Sequence, residues 1–173
     1  MARPPKEGID YSEWDVDIMD DPKIDTLMEG TGCQGFVVFF YLCQRIYASH
    51  GYYMEWDRKY ASTVARRVGC GVTANMVTRT IDICLAEGLF NQELLDRYGI
   101  LTSRGIQKRF TRVIPKRNNK KVVQEYWLLS QEKSAGAVLV PKELVFGSKT
   151  PIFEPKTRVF PEERRGEYSR GQS

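Results

Sequence analysis

Basic side chains are concentrated between residues 104 and 121. This stretch contains eight lysines and arginines and no acidic residue. They are Arg104, Lys108, Arg109, Arg112, Lys116, Arg117, Lys120 and Lys121. Cations at this density neutralise phosphates and release the counterions that surround nucleic acid. The sequence therefore predicts DNA binding through phosphate contacts, with a solvated basic linker at 116–121 as the alternative.

A second group of polar residues has the spacing of one exposed helix face, at i, i+3, i+4 and i+7. They are Asn75, Thr78, Arg79 and Asp82. Arginine and asparagine can hydrogen bond to base edges, so these residues form a candidate recognition stripe. Arg66 and Arg67 add positive charge just before it. Because the stripe pairs one arginine with one aspartate, we expect most DNA affinity at Lys108, Arg109 and Arg112 instead.

Four aspartates between residues 15 and 21 could bind a divalent metal through paired carboxylates. Asp21 also has the position of a helix N-cap before Pro22, so capping and solvation account for the cluster without a ligand. The sequence predicts no metal and no cofactor. His50 is the single histidine, which we expect at a helix end, and no Ser–His or Cys–His pairing or phosphate-binding glycine loop occurs. We therefore expect no enzymatic activity.

The recognition stripe is positioned by a predicted helix–turn–helix. Apolar residues at 60, 61, 64, 65 and 68 form one buried helix face. The glycines of Gly69-Cys70-Gly71 favour a turn, and Thr73 can cap a second helix, 73–87. Residues 89–91 and 99–102 are predicted to form a hairpin, the wing. With a strand at 52–56, the wing would complete a three-stranded antiparallel sheet.

Further helices are predicted on both sides of this unit. A helix at 22–29 is interrupted by Gly30 and Gly32, and 33–49 follows as a core helix. Ser103 caps another helix that Pro115 ends, and 122–129 is apolar enough to pack back as strand or helix. The predicted core residues come from the apolar faces of three helices. They are Phe36, Phe39, Phe40, Val64, Ile81 and Leu85.

Length and composition limit the architecture. The 173 residues, 42% of them apolar, can hold one core of ordinary size. We predict a flexible arm at 1–10, one domain at 11–130, and an extended, partly disordered tail at 131–173, where four prolines separate short apolar clusters. The fold class is α+β, mainly helical, with a winged helix-turn-helix.

Charge and cysteine usage suggest a compartment and a partner. Residues 1–87 carry a net charge of −4 and residues 88–173 a net charge of +8, which favours nucleic acid as a partner of the second half. The four cysteines form no C-x-x-C pair, so we expect buried, reduced thiols. No signal peptide follows Met1, and the longest apolar run, at 35–43, is too short to span a membrane. A cytoplasmic protein without a membrane partner is predicted.

Several short blocks resemble a known family. They are residues 1–8, 15–17, 21–24, 35–41, 51–53 and 98–109. They are similar to the N-terminal domain of phage and mobile-element proteins related to the replication initiation protein DnaD, over roughly residues 1–130. The resemblance implies a winged helix, a role in starting DNA replication, and self-association. Longer members carry a second, helical DNA-binding domain, and the prolines after Pro141 depart from it.

Two hypotheses follow for the function. In the first, the chain is a DNA-binding replication-initiation protein of a phage or mobile element that acts beside a helicase or helicase loader. In the second, the winged helix is a scaffold for homo-oligomers or partner docking, with weak and non-specific DNA affinity. The near-neutral recognition stripe favours the second hypothesis, and the basic stretch at 104–121 favours the first.

Overall fold

The structure, a computed structural model, describes residues 7–114, 120–130, 133–134 and 136–146.

The start of the first helix follows the capping signal in the sequence. The carboxylate of Asp21 accepts a hydrogen bond from the backbone nitrogen of Lys23 at 3.0 Å, and Pro22 occupies the first helical position. The predicted cap is confirmed, since this carboxylate satisfies a backbone donor that lacks a partner within the helix.

Helix α1, Pro22–Ser49, contains the predicted interruption as a kink. Gly32 has φ 67° and ψ −171°, which is not helical and which glycine adopts without a Cβ penalty. The helix continues on both sides of this residue. Beyond the kink, Val38, Leu42 and Ile46 are fully buried and form the centre of the main core.

The helix–turn–helix prediction is confirmed in its local structure. Helix α2, Ala61–Val68, is followed by a turn in which Gly69, Cys70 and Gly71 all have positive φ. Helix α3, Ala74–Ala86, begins where the Thr73 hydroxyl accepts a hydrogen bond from the backbone nitrogen of Met76 at 3.2 Å. Helix α3 packs against both α1 and α2, so the three helices enclose one core.

The wing prediction is wrong, because a helix occupies most of the predicted hairpin. Helix α4, Gln92–Tyr98, begins where the Asn91 side chain accepts from the backbone nitrogen of Leu94 at 2.8 Å. It ends at Gly99, which has φ 64°. The capping residue and the C-terminal glycine are both helix signals, and they outweigh the strand pattern of residues 89–91. One backbone hydrogen bond, from the Asn91 nitrogen to the Thr102 oxygen at 2.9 Å, joins the two predicted strands.

The main sheet has two strands rather than three. Strand β1, Met54–Glu55, pairs antiparallel with strand β2, Ile100–Leu101, with Met54 opposite Leu101. The predicted antiparallel pairing of 52–56 with the region 89–102 is therefore confirmed at 54–55 and 100–101, and the third strand is wrong. The mainly helical α+β class holds.

Helix α5, Arg104–Val113, begins at the predicted Ser103 cap, whose hydroxyl accepts from the Ile106 nitrogen at 3.3 Å. Ile114 is extended, the conformation that a following proline favours. Phe110 of α5 is fully buried in a second apolar cluster with Tyr52, Tyr53 and Tyr126. The segment at 122–129 packs on the body as predicted.

The described part of the predicted tail contains regular structure. Strand β3, Lys120–Val123, pairs in parallel with strand β4, Ala137–Val140, and helix α6, Lys142–Phe146, follows. The expectation of an extended chain is therefore wrong for α6. Residues 1–6 of the predicted arm and 147–173 of the predicted tail lie outside the described residues.

The predicted core is confirmed for three residues, confirmed in part for two and wrong for one. Phe39, Val64 and Ile81 are buried, and the partly buried side chains of residues 36 and 85 pack against them. Phe40 is 41% exposed, so its assignment to the core is wrong. Successive helical residues differ by about 100°, and this rotation takes Phe40 off the buried face of Phe39. Its ring contacts Trp14, with ring centroids 5.0 Å apart.

Candidate nucleic-acid interface

The outer face of α3 has the predicted polar stripe. Asn75, Arg79 and Asp82 are exposed, while Val77 and Ile81 of the same helix are buried. Thr78 is partly buried, and its hydroxyl donates to the Ala74 oxygen at 3.2 Å. Asparagine and arginine thus face solvent on a helix held by the core on its other side. Such a face can reach a groove or a phosphate of DNA.

Helix α2 contributes two cations at its C-terminal end. Arg66 is exposed and Arg67 is partly buried. The turn at Gly69-Cys70-Gly71 joins this end directly to α3. Cations in the last turn also favour the negative end of the α2 dipole, so they have a structural role even without a ligand.

The cations of α5 divide into two groups that face different surroundings. Arg104 and Lys108 are exposed, one helical turn apart. Within the described residues, neither has an ion pair. Arg104 also lines a cleft of 450 Å³ together with Lys23 and Arg109. This half of the helix keeps its positive charge accessible to an anion.

The other half of α5 is neutralised by the acidic segment before α1. Arg109 Nη2 lies 3.3 Å from Asp15 Oδ2, and its guanidinium lies 5.0 Å from the Trp14 ring centroid. Arg112 Nη1 lies 3.4 Å from Asp15 Oδ1 and 4.0 Å from Glu13 Oε2. The Arg109 side chain is only 15% exposed. These two arginines therefore anchor residues 13–15, and a phosphate would have to displace those carboxylates.

The sequence reasoning missed this role of Glu13 and Asp15. The available signal was the acidic charge of the first half of the chain opposite the basic second half. Sequence spacing alone could not show which cations the acids reach, because Asp15 and Arg109 are 94 residues apart.

The remaining predicted cations lie around β3. Lys120 donates from Nζ to the Glu7 oxygen and stacks over the Phe110 ring at 5.3 Å, and burial lowers the pKa of its amine. Lys121 is exposed. Lys116 and Arg117 lie outside the described residues. Lys120 is thus a structural contact to the arm, and Lys121 faces solvent.

His50 joins the arm to the main sheet at the end of α1. Its Nδ1 lies 2.7 Å from Glu7 Oε2, its Nε2 lies 3.6 Å from Glu55 Oε2, and its ring stacks on Tyr53 with centroids 4.3 Å apart. Burial lowers the pKa of the imidazole, but the hydrogen bonds and charges of Glu55 and Glu7 outweigh it. The pKa of His50 is therefore raised above its ordinary value of 6.5. The helix-end position is as predicted.

This arrangement predicts that the free energy of unfolding decreases as pH rises. A group with a raised pKa in the folded state stabilises fully below its unfolded pKa and loses that contribution as pH rises through the folded pKa. In urea unfolding, the contribution of His50 to the free energy of unfolding should therefore be smaller at about pH 8 than at about pH 5. The variant His50→Gln should lose this part of the pH dependence. An unchanged difference in that variant would show that other groups cause it.

Acidic residues and cysteines form no metal site in the part of the chain that the structure describes. No group of three or more histidine, cysteine, aspartate or glutamate side chains there could hold a metal ion. Cys43 and Cys84 are buried, and burial raises the pKa of the Cys43 thiol to about 12. Cys33 and Cys70 are exposed, so the prediction of buried thiols is wrong for these two. Cys70 occupies the solvent-facing turn, where its backbone has φ 52°.

None of the helices among the described residues is long and apolar enough to cross a membrane. This includes α1, which is long enough but carries polar and charged residues at its N-terminal end.

Comparison with known proteins gives a family for the region around α3. The profile of the family described as "Lin1244/Lin1753-like, N-terminal" matches residues 11–106, more than half of the chain. The uncharacterized phage-related protein Lin1244/Lin1753 of Listeria innocua serovar 6a is 36% identical over 131 residues. No solved structure matches the chain.

The extent of these matches shows how much of the chain aligns with the relative and with the family profile. The alignment covers 76% of this chain and 42% of the relative, so this chain spans less than half of the relative's length. The family profile begins at Tyr11, includes Asp15 and the exposed stripe of α3, and ends at Ile106 in α5. The chain therefore belongs to the Lin1244/Lin1753-like family, whose N-terminal profile it matches over residues 11–106.

Proposed function

We propose that this protein is a DNA-binding protein of a phage or mobile element, of the replication-initiation type, that holds DNA mainly through phosphate contacts. The observation that carries the proposal is the exposed face of α3. Asn75 and Arg79 point to solvent there, after a tight turn, while the opposite face of the helix is buried against α1 and α2. Helix-turn-helix proteins present their recognition helix in this way.

The order of elements supports a winged-helix relationship. Strand β1, between α1 and α2, pairs with strand β2, which follows α4. In the predicted winged helix this position belongs to the wing. Here α4 takes the place of the wing, and with Glu93 and Asp96 against Arg97 it carries a net charge of −1. DNA contacts are therefore proposed for α2, α3 and α5, and not for α4.

The distribution of free cations supports phosphate contacts. Five exposed cations of α2, α3, α5 and β3 have no ion pair within the described ranges. They are Arg66, Arg79, Arg104, Lys108 and Lys121. Exposed lysines and arginines of this kind bind phosphates in a sequence-independent way that weakens with salt. Arg109 and Arg112 are proposed to contribute less to phosphate binding than the sequence predicts, because Asp15 already binds them.

The relative's description supports the phage origin, and its greater length leaves room for further domains outside the part aligned here. We propose a cytoplasmic location, a homo-oligomer, and a helicase or helicase loader as protein partner. We also propose that the domain itself has no enzymatic activity. The relation to DnaD is part of this proposal.

The proposal predicts a steep salt dependence of DNA binding that depends on the free cations. Fluorescence anisotropy with a labelled random duplex should show binding at low salt. Each phosphate contact contributes about 0.9 to the slope of log affinity against log salt, so Arg66→Ala with Arg79→Ala should lower the slope by about 1.8. Arg104→Ala with Lys108→Ala should lower it by a similar amount. Unrelated duplex sequences should be affected alike.

Arg97→Ala is the matched control for these substitutions. Arg97 is also an exposed arginine on a short helix, but it is paired with Glu93 at 3.0 Å. Its removal should leave the slope unchanged. A wild-type protein that shows no DNA binding even at low salt would overturn the proposal.

A scaffold function is the second candidate, and one feature of α1 favours it. Val37 is 45% exposed and Phe40 is 41% exposed on the same side of this helix. Exposed apolar side chains that lie together commonly mark protein interfaces. Light scattering on wild-type protein and on Val37→Glu with Phe40→Glu would detect this role, since an oligomer that uses this face should dissociate in the variant.

A further inference from the structure

A groove of 610 Å³ lies between α3 and α4, beside β1. Its large apolar side chains are Trp56, Ile81, Leu85 and Leu95, of which Trp56 and Ile81 are buried. Leu85 and Leu95 are only partly buried, so apolar surface is open in the groove. A groove of this kind can take a bulky apolar side chain from an extended segment.

Acidic side chains predominate among the charged residues that line this groove. Asp57, Asp82 and Asp96 line it together with Arg58, a net charge of −2 among the lining residues, and the adjacent Lys59 pairs with Asp57 at 3.2 Å. Arg58 lies 3.6 Å from Asp82, and the amide of Gln92 donates to Asp96 at 2.8 Å. The groove thus combines an apolar floor with an acidic rim. Its chemical complement is a segment with apolar anchors between cations.

Helix α6 lies near one end of this groove, as the position of Lys142 shows. Lys142 of α6 places its amine 5.2 Å from the ring centroid of Tyr98, and the next residue, Gly99, lines the groove. The structure describes the chain as far as Phe146, at the end of α6. Two residues separate Phe146 from Lys149, and three extended steps span at most about 10 Å. Phe153 is four residues beyond Lys149, so an extended chain can carry the pair Ile152-Phe153 up to about 25 Å from Phe146.

That sequence has the complementary chemistry. Residues 149–160 contain the apolar pairs Ile152-Phe153 and Val159-Phe160 together with Lys149, Lys156 and Arg158 against one acid, Glu154, a net charge of +2. Pro151 and Pro155 favour an extended backbone on either side of the first pair. We propose that residues 149–160 bind in the α3–α4 groove of the same chain, with Ile152 or Phe153 as the apolar anchor.

Occupation of the groove would affect the face of α3. Thr78 and Asp82 both line the groove and belong to the predicted recognition stripe. A bound segment would cover this half of the stripe and leave Asn75 and Arg79 exposed. The proposed binding of residues 149–160 to the groove involves no contact with DNA, so it does not depend on the proposed DNA binding.

Disulfide trapping in the full-length chain tests the proposal. The exposed thiols are first removed by Cys33→Ser and Cys70→Ser. Ala86→Cys then introduces a thiol at an exposed position that lines the groove, and Thr157→Cys introduces one between Lys156 and Arg158. Mild oxidation followed by proteolysis and mass spectrometry should yield a disulfide within one chain. Adding Ile152→Asp and Phe153→Asp should slow its formation by about tenfold, since the anchor is lost.

The matched control places the thiol on α3 outside the groove, as Asn75→Cys, at a position that is also exposed. The control should form the disulfide with Thr157→Cys at a much lower rate. Equal rates for both positions on α3, insensitivity to the loss of the apolar anchor, or a disulfide that forms only between two chains would each overturn the proposal. Circular dichroism confirms that the variants are folded. Since no DNA is present, a negative result here is distinct from a negative result in the anisotropy measurement.

Discussion

Phe90→Ala is expected to lower the free energy of unfolding by about 3–5 kcal/mol. Phe90 is 1% exposed, and its ring centroid lies 5.6 Å from that of Phe39 in α1. The substitution removes buried apolar area and leaves a cavity between α1 and the segment that joins α3 to α4, which the surrounding helices can only partly fill. Urea denaturation followed by circular dichroism measures the change.

Phe40→Ala is the matched control, because the same atoms are removed from a side chain that is 41% exposed. Its loss of stability should be well under half of that of Phe90→Ala, since less apolar area leaves contact with protein. Similar losses for the two variants would show that Phe90 is not part of a tightly packed core. The comparison also tests the correction to the predicted core.

Gln107→Leu is expected to lower the free energy of unfolding by about 2–5 kcal/mol, because it leaves buried backbone groups without partners. Gln107 is fully buried. Its amide nitrogen donates to the Tyr126 oxygen at 2.8 Å and to the Thr102 hydroxyl at 3.1 Å, and its amide oxygen accepts from the Leu128 nitrogen at 2.8 Å. These bonds join α5 to Thr102, the residue after β2, and to the segment after β3. Leucine has a similar size but can make none of them.

The control for this variant is Gln124→Leu, at an exposed position in the same region. Its effect should stay within about 0.5 kcal/mol, as for most surface substitutions. If Gln107→Leu is as stable as Gln124→Leu, the buried hydrogen bonds contribute no net stability, and the segment at 120–130 is held by its apolar contacts alone. Hydrogen exchange at the Leu128 amide would then remain slow in the variant.

The predicted DNA site shows how far sequence reasoning extends to function. The exposed stripe of α3 could be derived from helical periodicity, because a helix of known phase fixes which residues share a face. The accessibility of each cation in α5 to an anion could not be derived from the sequence. Arg104, Lys108, Arg109 and Arg112 are equivalent in sequence terms, but Asp15 binds the last two and leaves the first two exposed. Charge density is a property of the sequence, and charge accessibility is not.

The sequence by itself determined the local starts and stops of this fold. Asp21, Thr73 and Ser103 cap their helices as predicted, and the turn at Gly69-Cys70-Gly71 has the positive φ that its glycines favour. These features depend on residues within a few positions of one another, so their energetics can be read from a short segment.

Only the tertiary structure decided which surfaces remain open. Residues 89–91 resemble a strand, but Asn91 caps α4 instead, and the predicted third strand is absent from the main sheet among the described residues. Arg109 is neutralised by Asp15, which is 94 positions away in the sequence. The groove lies between α3 and α4, and the sequence predicted a hairpin in place of α4. Contacts over such distances depend on the packing of the whole core, because that packing decides which side chains meet and which backbone pairs form.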